Sequence, residues 1–330
     1  MDRRRALHAF AAASIGLFSG ALAAQSATVR RIGFLAARSR STKSHPDVYY
    51  DAFVQGMREL GYIEGRNLEI EWRFADGNYE RLPALARDLV NVGVQVIVTH
   101  GTPPPVAAKK ATTSIPIVAI TMTDPIGSGL VASLARPGGN VTGLSNITPD
   151  LSPKQIQLLK ALVPGVKRVA VLLNLGNTSS KPILENLEKA GAELGVAIVP
   201  MHAPTLDAID VGFATMAKER IPAVIVTSDA FLVGQASNIA SRGIKNKIVV
   251  LAPFPDDVAT GSLLGYGPNL ADIYRRGAVY VDKILRGANP RDLPIEQPSQ
   301  VELGINRKTA KAIGIKIPGP LLARAERVLE

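Results

Sequence analysis

The order of segments in this chain predicts an α/β fold built as two doubly wound parallel-sheet lobes. Short β-branched runs alternate with longer amphipathic stretches, the pattern of βα units around parallel sheets. Runs in the middle of that pattern carry apolar residues on both faces (Val94, Val96, Ile97 and Val98), as expected where helices cover both sides of a sheet. A chain of 330 residues also exceeds what one hydrophobic core usually organises, so two lobes are the default expectation.

The first half reads as strand Arg31–Ala37, helix Val48–Leu60, strand Leu68–Phe74 and helix Tyr79–Asn91. Strand Val94–His100, helix Pro104–Ala111 and strand Ile117–Thr121 follow. Gly61-Tyr62 and Gly65-Arg66-Asn67 supply the stop and turn after the first helix. Trp72, between Glu71 and Arg73, is expected to pack under that helix. The second half repeats the scheme: strand Arg168–Asn174, helix Ser180–Leu194, strand Ala197–His202, helix Leu206–Lys218, strand Ala223–Thr227, helix Ala230–Ser241 and strand Lys247–Ala252. Pro137-Gly138-Gly139-Asn140-Val141-Thr142-Gly143 is read as the joint between the halves, because its glycines and proline break helix and strand alike. After residue 260 the alternation loosens. Strand-like Ser262–Tyr266 leads into a helix at Leu270–Leu285, capped by Asn269 and stopped by Gly287. A proline-punctuated passage, the run Val301–Ile305 and helix Arg307–Ile313 complete the chain.

The N-terminus reads as an export signal. Arg3, Arg4 and Arg5 precede an uncharged stretch, Ala9–Ala24, and Ala21-Leu22-Ala23 offers a cleavage site after Ala23, giving a signal peptide over residues 1–23. The stretch falls short of the roughly 18–20 residues needed to cross a bilayer. With no cysteine in the chain, a lipid-anchored cysteine and a disulfide framework are both excluded. An exported, unanchored protein points to the periplasm. The net charge of +10 comes from dispersed Lys and Arg with no dense basic run, so no nucleic-acid partner is expected.

Catalytic motifs are missing. The turn Ala36-Ala37-Arg38-Ser39 has no glycine, so there is no dinucleotide fingerprint, and no phosphate-binding Walker loop occurs. The histidines (His8, His45, His100, His202) are scattered without metal-ligand spacing, so no metal is expected. Gly127-Ser128-Gly129 does not make a nucleophile elbow. No catalytic residue and no cofactor are assigned. In open α/β sheets, small molecules bind beyond the carboxyl ends of the strands, where the amides of the following helices point. Those ends carry Arg38-Ser39, Gly101-Thr102 and Thr123-Asp124 in the first half, and Asn174 to Asn177 and Ser228-Asp229 in the second. The Gly101-Thr102 turn suits a carboxylate, and Asp124 or Asp229 an ammonium or hydroxyl, although N-capping alone also explains both aspartates. Tyr49, Tyr50, Phe254 and Tyr266 are candidates to line a pocket, and His100 is expected to fill a strand end. An exported hydrolase or transferase with Asp124 or Asp229 as base is the alternative reading. A repressor-like regulator is excluded by the export signal and the lack of N-terminal DNA-binding helices.

Several strings carry a family resemblance. They are Arg31-Ile32-Gly33-Phe34-Leu35, the run from Phe53 to Gly65, Tyr79-Glu80-Arg81-Leu82-Pro83, Asp124-Pro125-Ile126-Gly127-Ser128-Gly129-Leu130-Val131, the run from Leu134 to Leu144, and Tyr266-Gly267-Pro268. Together they resemble the substrate-binding proteins of ABC transporters in the group related to tryptophan- and tyrosine-uptake proteins. The resemblance implies a type I periplasmic-binding-protein fold: two lobes joined by three hinge segments and closing on a ligand. It places residues 29–145 and 266–289 in the first lobe, and 146–265 and 290–330 in the second. It implies a cleft lined by Arg38 to Ser41, Gly101, Thr102, Asp124, Pro125, Ile126, Asn174, Ser228, Asp229 and Tyr266, to which the strand-end reading adds Asn177 as a candidate ligand contact. It further implies a monomer, a small-molecule ligand (an amino acid being the first guess) and an ABC permease in the inner membrane as partner. Leu251 to Asp257 and Gly265 depart from the family pattern near the cleft, which leaves the ligand open.

Overall fold

The computed structural model describes residues 29–40 and 47–330. The export signal and Ser41 lie outside them. The first lobe runs β1 (Arg30–Ala36), α1 (Val48–Glu59), β2 (Leu68–Phe74), α2 (Leu82–Val92), β3 (Val96–His100), α3 (Pro103–Ala111), β4 (Ile117–Met122) and β5 (Val141–Ser145). Its five strands are parallel throughout, in the order β2-β1-β3-β4-β5. The second lobe begins with α4 (Ser152–Leu162), β6 (Arg168–Leu173), α5 (Ser180–Leu194), β7 (Ala197–His202) and α6 (Leu206–Lys218). It continues with β8 (Ala223–Val226), α7 (Ala230–Gly234), α8 (Ala236–Asn246), β9 (Val249–Ala252) and β10 (Leu264–Gly267). After α9 (Leu270–Leu285) come β11 (Glu302–Asn306), α10 (Arg307–Ile313), α11 (Gly319–Leu322) and β12 (Arg327–Leu329). The second sheet is ordered β12-β11-β10-β9-β8-β6-β7, and β11 runs antiparallel to β10.

Helix α9 shows how the lobes are stitched together. Asn269 caps it, and its apolar positions Leu270, Ile273, Tyr274, Gly277, Ala278 and Val281 repeat at helical spacing. That face is buried not on the second lobe but against α1 and the first sheet, in one core with Phe34, Tyr50, Phe53, Met57 and Ile120. The crossing is close because Gly56 of α1 faces the backbone of α9: a Cβ there would lie 2.7 Å from the Arg275 carbonyl oxygen. Trp72 stacks on Phe34 at 4.6 Å and sits 5.5 Å from the Tyr50 ring of α1, which is the placement expected of it.

The structure corrects the sequence reading at several points. The stretch read as the joint does not link the lobes: residues 137–140 lead from β4 into Val141–Ser145, which is the edge strand β5 of the first sheet, fully buried and paired with β4. Gly143 is required there because φ is +135° and a side chain would run into the Ala119 carbonyl. The segment Ala230–Ser241 is not one helix: Gln235 leaves helical geometry and separates α7 from α8. Lys247, read as the start of a strand, adopts φ +55° and ends α8, so β9 begins at Val249. Tyr266 belongs to the second sheet, because β10 pairs with β9 and β11. The segment after α9 stays on the first lobe longer than expected. The Thr142 hydroxyl donates to Leu293 O (2.7 Å), Tyr280 Oη to Pro294 O (2.7 Å) and the Ser145 N–H to Glu296 O (2.9 Å). The chain therefore crosses between lobes after β5, after β10 and after Glu296, and the carboxyl ends of both sets of parallel strands face the cleft between them.

Candidate functional site

Two kinds of surface meet in the cleft. In its depth the lobes touch directly. The Ser179 hydroxyl, ahead of α5, donates to Thr102 Oγ1 at 2.7 Å, and Thr102 in turn accepts from the Thr123 N–H at 3.3 Å. Tyr79 of the first lobe donates its phenol to Asp229 Oδ2 at 2.6 Å, and the Asn177 amide donates to the same oxygen at 3.1 Å. The other oxygen of Asp229 caps α7 by accepting from the N–H groups of Phe231 and Leu232. Burial raises the carboxyl pKa of Asp229 against these stabilising bonds, and burial raises the Tyr79 phenol as well. Thr102, Ser179, Asn177 and Asp229 are all sealed from solvent. Behind them, Thr121, next to last in β4, has φ +62°, a strained conformation for a β-branched residue. It is held there by the Gly101 N–H on its hydroxyl (3.1 Å) and by the Asn146 amide on its carbonyl (3.0 Å).

Beside this seam lies a cavity of about 850 Å³ with walls from both lobes. Arg38 and Tyr49 come from the first lobe, and Phe231, Gln235 and Asp257 from the second. Arg38, placed just past β1, is 8% exposed. Its guanidinium donates through Nε and Nη2 to the Asp47 carboxylate (2.9 and 3.1 Å) and to Tyr274 Oη (3.3 Å). It also lies 4.9 Å from the centre of the Tyr50 ring and 5.4 Å from that of Tyr49, so cation–π attraction adds to the ion pair. Asp47 meanwhile caps α1 through the Tyr49 and Tyr50 amides. His100 supports this cage from below. Its Nε2 accepts from the Ala37 N–H at 3.1 Å and lies 3.3 Å from Tyr50 Oη. Burial, reinforced by the Arg38 charge, pushes its pKa well down, so His100 is neutral, with the proton on Nδ1. On the opposite wall Asp257 accepts from the Phe254 N–H (3.2 Å), and burial pushes its carboxyl pKa up to about 7.

The sequence-predicted residues do not form one group. Arg38 and Ser39 line the cavity, and Ala230, next to Asp229, does too. Gly101, Thr102, Asn177 and Asp229 lie at the seam. Ser228 is half-buried just before Asp229. Asn174 accepts from the Gly176 N–H at 3.0 Å and lines a second hollow of about 610 Å³ beyond Phe231 and Gly77. Asp124, Pro125 and Ile126 form a turn in which Asp124 Oδ1 accepts from the Gly127 N–H (2.8 Å), and Ile126 is half exposed. Tyr266 packs on the second-lobe core. Neither Asp124 nor Tyr266 is part of the main cavity wall. Sequence reasoning passed over Asp47, Phe231, Gln235, Tyr274 and Asp257. Of these only Asp257 carried a signal, since it ends the passage that departs from the family pattern.

Two α/β lobes, crossed three times by the chain and closing over a mixed aromatic and charged cavity, define a solute-binding protein of the type I periplasmic class. The chain belongs to the ABC transporter substrate-binding protein family, whose pattern matches residues 43–329. It is 27% identical over 276 residues to a tyrosine-binding protein of Clostridioides difficile (strain R20291), covering 82% of this chain and 79% of that one. A conserved domain protein of Vibrio cholerae superposes with a TM-score of 0.84 at 28% identity, over 91% of this chain and all of that one. A domain from Streptococcus pneumonia solved in complex with L-Trp superposes at 0.83 with 26% identity, over 92% of this chain and all of that one. Family and neighbours are solute-binding proteins, so the hydrolase or transferase alternative falls.

Proposed function

We propose that this chain is the periplasmic receptor of an ABC importer, capturing an amino acid with an aromatic or other apolar side chain and delivering it as a monomer to an inner-membrane permease. The observation that carries the reading is the inter-lobe cavity. Its volume lies in the range of small-molecule pockets, and it sets aromatic surface (Tyr49, Phe231) beside ionisable groups (Arg38, Asp257). Names borne by relatives, one tyrosine-binding and one holding L-Trp, support the ligand class. Arg38 and Ser39 meet the ligand from the first lobe and the start of α7 from the second, while the pairs Thr102–Ser179 and Tyr79–Asp229, the latter steadied by Asn177, hold the lobes shut around it. A ligand bridging both walls favours the closed state by its additional contacts there. The periplasmic location rests on the N-terminal signal; among the described residues no helix is long and apolar enough to cross a membrane.

A thermal-shift screen of the twenty amino acids and a panel of aromatic acids tests the reading. A ligand at a hundred times its Kd stabilises the folded state by about 2.7 kcal/mol. Tyrosine, tryptophan or a near relative is expected to raise the melting temperature and to reduce the radius of gyration in solution scattering. A screen in which no amino acid shifts the transition overturns the amino-acid assignment.

A further inference from the structure

Asp257 is an anomaly in the cavity. The other acids there have charged partners: Asp47 holds Arg38, Asp76 holds Arg81, and Asp256 holds Arg327, which also binds Glu302. Asp257 has none. It is 4% exposed, one of its oxygens accepts from the Phe254 N–H, and the other has no hydrogen-bond partner among the described residues. That oxygen is not sealed in protein: among the described residues, the sealed side-chain atoms without partners are Thr99 Oγ1 and Ser145 Oγ. A buried carboxylate bordering a cavity without a partner is costly unless it is protonated or met by a cation.

We propose that Asp257 is the charge-selecting residue of this site, taking a protonated amine on the ligand, and that capture of the amine releases the proton Asp257 holds when the cavity is empty. The inference rests on the reading of the cavity as the ligand site. The charged and titratable groups facing Asp257 fit it. Asp256, next in the chain, repels its charge. Across the cleft Tyr49 stays protonated, its phenol pushed up first by burial and then by the Asp257 charge, and the Arg38 charge is already met by Asp47. His100 lies behind Arg38 and is neutral. The carboxyl is thus poised near neutrality, half ionised at about pH 7, and an incoming ammonium drives it fully to the carboxylate. The proton leaves to solvent; no covalent bond changes.

A cation binds the ionised form, so affinity rises with pH through about 7 and levels off once Asp257 is ionised, while the amine keeps its own proton. Affinity at pH 8 is expected to be about tenfold that at pH 6, with about half a proton released per ligand at pH 7. In the empty protein a carboxyl raised above its unfolded value subtracts stability as pH climbs toward about 7. Asp257→Asn, which retains the oxygen that accepts from Phe254, is therefore expected to melt several degrees higher than wild type at pH 8 and unchanged at pH 4.

Calorimetry at pH 6, 7 and 8, in two buffers of different ionisation enthalpy, tests the proposal. The probes are L-tyrosine and L-tryptophan, their deaminated analogues 3-(4-hydroxyphenyl)propionate and indole-3-propionate, and the amines tyramine and tryptamine. The expected result is buffer-dependent heat and a pH-dependent Kd for every amine-bearing probe that binds, both lost in Asp257→Asn. Flat affinity from pH 6 to 8, or equal binding of the amino acid by Asp257→Asn, overturns the role of Asp257 and leaves the amino-acid reading intact. Binding of the amines but not the amino acids, with the same pH profile, sinks the amino-acid reading and keeps Asp257. Failure of every amine-bearing probe overturns both.

Discussion

The seam and the cavity lie in one cleft and use the same polar vocabulary to opposite ends. At the seam each polar group finds a protein partner: Thr102 takes Ser179, and Asp229 takes Tyr79, Asn177 and two helix amides. At the cavity the aromatic cage around Arg38 is likewise complete, but Asp257 opposite is left with one oxygen unmet. The difference separates two jobs. Satisfied groups between lobes set how strongly the closed form is preferred, whereas an unsatisfied group on one wall sets what is accepted.

That division makes Arg38 the most sensitive residue. As a wall of the cavity it is built in by Asp47, Tyr274 and two ring faces, so Arg38→Met removes a buried partner and destabilises the fold by about 3 kcal/mol. The discount from larger values reflects the two α1 amides that still meet Asp47. Chemical denaturation measures this. A variant that keeps wild-type stability yet binds nothing would mean that Arg38 serves the ligand alone and not the cage that holds it, and would erase its contrast with Asp257.

The next effect falls on the seam. Tyr79→Phe deletes one lobe-to-lobe bond to a carboxylate, of the kind worth about 1.5–3 kcal/mol. The ring remains, so the first lobe is expected to fold as before. The closed state loses that free energy, ligand affinity falls about ten- to a hundredfold, and the radius of gyration of the free protein increases. Unchanged scattering and affinity would mean that the Ser179–Thr102 bond, and not Tyr79–Asp229, keeps the lobes together.

Why the seam was legible in the sequence and the cavity was not follows from distance along the chain. Strand ends announce themselves: an apolar β-branched run followed by a small polar residue and a helix gave Gly101-Thr102, Asn174 to Asn177 and Ser228-Asp229, and open α/β sheets place all such ends on one side. What those ends then meet was not written locally. Tyr274 reaches Arg38 from 236 positions away, because α9 returns to the first lobe, and no periodicity in 270–285 says which lobe it will cover. Asp257 hides in a short 3-10 turn, Pro255–Thr260, with no helical or strand period to mark its face. The edge strand β5 was concealed by its own glycines, since the feature that breaks most strands, Gly143, is here what lets two strands pair closely. Elements were therefore readable, and the contacts between elements distant in sequence were not.

The smallest expected effect concerns Asp124, which the sequence placed on a par with Asp229. Both follow an apolar strand and both cap a turn, but Asp229 spends its second oxygen on the other lobe while Asp124 spends its first on Gly127 and does not join the main cavity wall. Asp124→Asn retains the accepting oxygen and changes only a half-buried charge. Stability and ligand affinity are each expected to move by no more than about 0.5 kcal/mol, the range of surface substitutions away from special features. Asp229→Asn carries more risk, because the amide it introduces offers N–H groups toward the Tyr79 and Asn177 donors. Titration of both variants with the same ligand separates the two roles. If Asp124→Asn loses binding as steeply as Asp229→Asn, then strand-end position alone predicts function in this cleft, and the contacts across it do not.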